Sequence, residues 1–205
     1  VIPDDDRPDQ TDVPPGADVP GTAAPDTARI AAAQASLRLL ELVREVERYV
    51  SSEGWDQNPR LFALARTRDL VALEPELAEV LGADADDPGS LTPIEQELVD
   101  ASRPLDELLA TTLWPDEVVG AALVLERLML PPSAEDSLPD DDLRVLEEAA
   151  STHPDREDVR MAVVVTRDGG RMCALRLRSH DVDDEVLVGD TLVPRLADAL
   201  AATFS

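Results

Sequence analysis

Residues 159–179 read VRMAVVVTRDGGRMCALRLRS, two β-branched and apolar runs flanking Asp168-Gly169-Gly170, which is a strong hairpin signal. A two-residue turn at Asp168-Gly169 pairs Val165 with Met172 and splits the apolar residues between the two faces. A three-residue loop over 168–170 pairs Val165 with Cys173, Val163 with Leu175 and Met161 with Leu177, gathering them on one face, and a slip by one residue destroys that face. The expectation is therefore the three-residue loop, with a glycine in the left-handed position. The other face carries Arg160, Ala162, Val164 and Thr166 opposite Arg178, Arg176, Ala174 and Met172. It is mixed, and reads as solvated or partly covered.

Outward from the hairpin, the segment before it repeats the strand signal. Residues 118–130 (VVGAALVLERLML) are rich in β-branched side chains, contain Gly120 and end at Pro131-Pro132. They read as a strand rather than a helix, apolar on both faces and so central and covered twice. Shorter strands are expected at 60–65 and 94–99, and one more at 185–188. A long helix runs from Asp26 or Thr27 to about Glu53, with Ile30, Ala33, Leu37, Leu40, Val43, Val46 and Val50 as its apolar stripe. Arg38, Glu41, Arg44, Glu45, Glu47 and Arg48 fill its solvated faces. Further helices are expected at 67–73, 75–81, 104–112, 140–151 and 192–203, the last capped by Thr191 with Pro194 in its first turn. Residues 1–25 alternate Pro and Asp and lack the apolar content to offset ordering entropy, so they read as a disordered acidic tail. Residues 26–205 then form a single α+β domain. Its sheet is mainly antiparallel, of about four to six strands, with helices packed against it.

Composition limits the chemistry. The 205 residues carry 44 acids against 18 basic residues, a formal charge of −26. Every basic residue is Arg. Without Lys there is no Schiff base and no phosphate-loop lysine. The acid excess repels nucleic-acid phosphates and anionic membranes. No apolar run approaches the ~18–20 residues a membrane span needs. Cys173 is the single cysteine, so an intramolecular disulfide and a cysteine-based metal cage are out of reach, and its strand position reads as a structural thiol. Aromatic residues make up 2%, which leaves few stacking platforms for bases or sugars.

Individual motifs assign no chemistry. The acidic run Asp181-Val182-Asp183-Asp184-Glu185 lacks the central Gly and spaced Glu of a calcium loop and reads as a solvated loop. His153, His180 and Asp181 are possible ligands with no supporting spacing. Trp55 and Trp114 read as anchors at loop junctions. The feature that asks for an explanation is the arginine trio Arg160, Arg176 and Arg178 on one sheet face, since like charges across a strand pair destabilise it. Either local acids such as Glu126 or Asp198 neutralise the trio, or it contacts an external anion or acidic peptide.

The segments Gly54-Trp55-Asp56-Gln57, Pro59-Arg60-Leu61-Phe62, Leu91-Thr92-Pro93, Trp114-Pro115, Glu126-Arg127, Leu130-Pro131-Pro132, His153-Pro154-Asp155 and Cys173-Ala174-Leu175-Arg176-Leu177-Arg178 resemble an uncharacterised family of small cytosolic actinobacterial proteins, from about Ala28 to Phe204. The resemblance implies a single α+β domain from a GC-rich actinobacterial source, and no activity or functional residue.

The reading is thus a non-catalytic, soluble, cytoplasmic protein-binding or adaptor module. Its partner is another protein rather than nucleic acid or membrane; it uses no cofactor or metal, and nothing in the chain specifies an oligomeric state. The alternatives are an Asp/His-dependent, metal-assisted hydrolase and, after that, an acidic mimic of nucleic acid.

Overall fold

Helices cover both faces of one antiparallel sheet in the computed structural model, which describes residues 27–76, 87–97, 103–130, 153–154 and 156–205. Among these, the order is α1 (Thr27–Ser51), β1 (Arg60–Arg66), α2 (Thr67–Leu73), β2 (Leu91–Gln96), α3 (Leu105–Thr111), β3 (Val118–Met129), β4 (Glu157–Thr166), β5 (Arg171–Leu177), β6 (Leu187–Gly189) and α4 (Pro194–Ala201). The sheet order is β2-β1-β3-β4-β5-β6, and every neighbouring pair is antiparallel. This is the expected α+β class with six strands. The tail at 1–25, the helix at 140–151 and most of the helix at 75–81 lie outside the described residues.

The long run at 118–130 is the centre of the sheet. Alternation along β3 sends Ala122 and Val124 to one core and Ala121, Leu123 and Leu125 to the other. The first core lies under α1 and adds Phe62, Leu64, Ala162, Val164 and Ala174. The second lies under α3 and α4 and adds Leu61, Val163, Val165, Cys173, Leu109 and Leu200. Trp114 anchors the C-terminus there as a junction residue. Its indole N–H donates to Thr203 Oγ1 at 2.8 Å and its ring stacks on Phe204.

Three details correct or complete the sequence reading. The hairpin loop has three residues, but they are Arg167, Asp168 and Gly169. The Thr166 N–H donates to the Gly170 carbonyl, and Gly169, at φ +91°, takes the left-handed position. Partners are therefore displaced by two residues, with Val163 opposite Cys173, Met161 opposite Leu175 and Arg160 opposite Arg176. Because the displacement is even, each residue keeps its expected face. Second, the choice left open for the mixed face falls to covered rather than solvated, because α1 lies across it. Third, α1 is rotated and overhangs. Its buried residues are Leu39, Leu42, Val43, Val46, Glu47 and Val50, whereas Ile30 and Leu37 are exposed. Glu47, expected on the solvated side, is only 1% exposed.

Strand ends also shift. β2 begins at Leu91 and contains Pro93 as the sheet edge, where a missing N–H is tolerated. α4 starts at Pro194 rather than Leu192, with Val193 as its cap residue.

Candidate functional site

The arginine trio gathers where α1 crosses β4 and β5. Arg160 and Arg176 stand directly opposite each other on adjacent strands, and Glu47 descends from α1 between them. Arg176 donates from Nε and Nη2 to the two Glu47 oxygens at 2.7 and 2.8 Å, and also reaches Asp183 at 2.7 Å and Asp181 at 3.2 Å. Arg160 is fully buried. It donates to Glu126 at 2.7 Å and to the Gly54 carbonyl. Its Nη1 lies 3.8 Å from Glu47 and makes no hydrogen bond. Arg178, the exposed member, grips Asp56 with two bonds of 2.9 Å and approaches Asp158 at 3.5 Å.

The loop between α1 and β1 closes over this network. Trp55 is half-buried, with the Arg160 guanidinium 4.4 Å and the Arg178 guanidinium 5.5 Å from its ring centre, contacts that favour cations over an aromatic face. Its indole N–H donates to Asp181 at 2.9 Å. Asp56 sits at φ +66°, a left-handed conformation that Asp tolerates better than most residues. Its N–H donates to Glu126 at 2.7 Å. The electrostatics follow from the pairing. Hydrogen bonds from Arg176 hold Asp183 below the ordinary carboxylate range, and those from Arg178 do the same for Asp56. The Glu47 carboxylate raises Arg176.

Of the two acids named as neutralisers, Glu126 pairs with Arg160, while Asp198 pairs with Arg171 at 2.9 Å. Glu47 was missed, yet a signal existed: it falls four residues after Val43 and three before Val50, inside the buried stripe. Asp181 and Asp183, read as solvated loop, hold Arg176. His180 contacts Glu185 at 2.6 Å. Among the described residues no group of three or more His, Cys, Asp or Glu is placed to hold a metal ion. Cys173 is buried, and that burial pushes its thiol above the ordinary value.

A second feature had no counterpart in the sequence reading. A groove of about 830 Å³ runs between one side of α1, the 87–91 segment leading into β2, and the β4–β5 turn. Leu39, Leu42 and Leu91 contribute its apolar surface, and Glu41, Glu45, Asp116, Asp168, Arg66 and Arg167 the charge that no ion pair among the described residues takes up. Arg38 closes one end by a two-pronged pair with Asp87, at 2.7 and 2.9 Å. Gly89 makes room for it, since a Cβ there would lie 2.8 Å from the guanidinium carbon.

Among the described residues no helix is long and apolar enough to cross a membrane. No curated protein and no solved structure matches the chain. One family model matches residues 39–205, beginning at the first buried residue of α1 and running through every strand of the sheet. On that match, the chain belongs to the PPA1309-like protein family.

Proposed function

We propose that this domain is a non-catalytic binding module that holds a segment of another protein in the groove beside α1. The observation that carries the reading is the groove itself, with an apolar floor, charged walls and room for a short stretch of chain. Clefts of ~300–1,000 Å³ that mix apolar lining with a few polar groups are the usual form of a binding site. In this reading the arginine network is structural: six carboxylates surround three guanidiniums. An external anion or acidic peptide at Arg160, Arg176 and Arg178 would have to displace them, and Arg178, the most exposed, is the place where that competition is easiest.

The metal-assisted hydrolase reading draws no support from His180 and Asp181, whose nearest partners are Glu185, Arg176 and Trp55. A cytoplasmic location and an actinobacterial source belong to the same proposal. They rest on the single buried thiol and the Lys-free, Arg-rich composition.

The test is a photo-reactive amino acid placed at Ser36, on the groove wall, in the full chain expressed in its native cells. A covalent adduct with another protein, missing when the same group is placed at Asp184, is the expected result. Adducts at Asp184 but none at Ser36 would refute the reading.

A further inference from the structure

The partner segment that fits this groove can be specified by its chemistry. We infer that it is a basic one: a short stretch with apolar side chains for the floor and Arg or Lys side chains for the walls. The inference rests on the binding-module reading and adds the nature of the partner.

Charge balance in the groove carries the argument. Arg38 is consumed by Asp87. Arg171 turns to Asp198. Arg167 spends its donors on the carbonyls of Val118, Trp114 and Pro115. Glu41, Glu45 and Asp116 are exposed, and none has a hydrogen-bond or ion-pair partner among the described residues. Asp168, also on the lining, bonds only Thr166 and the Gly170 N–H, and the carbonyl bonds of Arg167 leave its charge in place. Four carboxylates without an ion-pair partner among the described residues, Glu41, Glu45, Asp116 and Asp168, therefore stand against two such guanidiniums, Arg66 and Arg167.

Glu41 and Glu45 add a second, geometric point. They lie four residues apart on α1, where like charges face each other and weaken a helix. Both line the same wall of the groove, so a single cationic side chain laid between them would relieve their repulsion. Beneath them Leu39 and Leu42, buried in the core at 8% and 6% exposure, show only their edges to the groove, where with Leu91 they meet an aliphatic side chain. Arg66 does not oppose this occupant. Its guanidinium can donate to the segment's backbone carbonyls, as Arg167 does to those of Val118, Trp114 and Pro115. The formal charge of −26 extends the preference outward, because an acidic protein speeds the approach of a basic partner.

The test uses two fluorescein-labelled twelve-residue peptides with the same Leu positions, one with Arg and the other with Glu at the remaining positions. Binding is read by fluorescence anisotropy at fixed ionic strength. The Arg peptide should bind and the Glu peptide should not. Glu41→Gln with Glu45→Gln should weaken binding at least tenfold. Asp184→Asn with Asp190→Asn removes the same charge away from the groove and should change affinity less than twofold. Ala35→Trp, which fills the exposed groove wall without altering charge, should also abolish binding. Equal weakening by both charge pairs would mean diffuse attraction and overturn the inference, as would equal binding of both peptides or none of the Arg peptide. In the last two cases a protein adduct at Ser36 would still leave the binding-module reading standing.

Discussion

Glu47 and Arg176 meet through two parallel hydrogen bonds of 2.7 and 2.8 Å, with the glutamate 1% and the arginine 3% exposed. The pair fastens α1 to β5 and also supplies the nearest negative charge to the buried Nη1 of Arg160. One carboxylate thus separates two guanidiniums that stand opposite each other across a strand pair.

Removing that carboxylate should be severe. Glu47→Leu leaves two buried cations short of a counter-charge, and losing one partner of a buried pair costs about 3–5 kcal/mol. Urea denaturation of the purified domain measures it. Replacing the set together, Glu47→Leu with Arg160→Met and Arg176→Met, should recover a large part of the loss, because a matched apolar replacement of a buried ion network is often neutral. A single variant as stable as the wild type would mean that the pair does not fasten the helix.

Acid should weaken the outer part of the network. The hydrogen bond from Arg176 lowers the Asp183 pKa in the folded protein. The unfolded chain therefore takes up this proton at higher pH than the folded one. The contribution to stability is complete above the ordinary aspartate pKa of about 4 and is lost as pH falls through the lowered folded value. Protonating the many other acids also relieves repulsion, but it does so in wild type and variant alike. The stability gap between wild type and Asp183→Asn should accordingly narrow on acidification. A gap that stays constant from neutral pH to well below pH 4 would count against the Arg176–Asp183 pair.

Gly120 should resist even the smallest side chain. A Cβ there would lie 2.5 Å from the Val165 carbonyl oxygen and 3.1 Å from Leu64 Cδ1, at the point where the β1–β3 pairing shifts register. The obstacle is backbone in the middle of the sheet, so Gly120→Ala should cost about 1–3 kcal/mol, as overpacking does. Thermal unfolding reads it; an unchanged melting temperature would contradict the close approach.

These residues also show how far the sequence could be read. Alternation assigned faces to β4 and β5 correctly, because period-two patterning survives an even displacement, and the two-sided apolar run at 118–130 marked β3 as central. It could not fix the loop: Arg167–Gly169 and Asp168–Gly170 both leave the same side chains on the same faces. Local hydrogen bonds at Thr166 and Gly170 decide between them. On α1 the stripes 37-40-43-46-50 and 39-42-43-46-50 share their last three members. The sheet beneath decides that the second is buried, and Glu47, at helical spacing from Val43 and Val50, goes with it. The trio Arg160, Arg176 and Arg178 was legible as a charge problem. Its solution was only partly so, since Asp56, Asp181 and Asp183 come from loops brought in by the fold. The groove draws on α1, β1, the 87–91 segment and the β4–β5 turn, and no spacing in the chain announces such a combination.

The central claim is that the three arginines are neutralised from within, which leaves the groove as the binding surface. Its most direct test is the melting temperature in sulfate or phosphate against chloride at matched ionic strength, for the wild type and for Arg176→Ala with Arg178→Ala. A ligand that binds only the folded state raises that temperature by mass action. We predict that the wild type responds equally to all three salts and that the double variant is less stable in each. A rise specific to sulfate or phosphate in the wild type, lost in the double variant, would contradict the account and make Arg160, Arg176 and Arg178 an anion site.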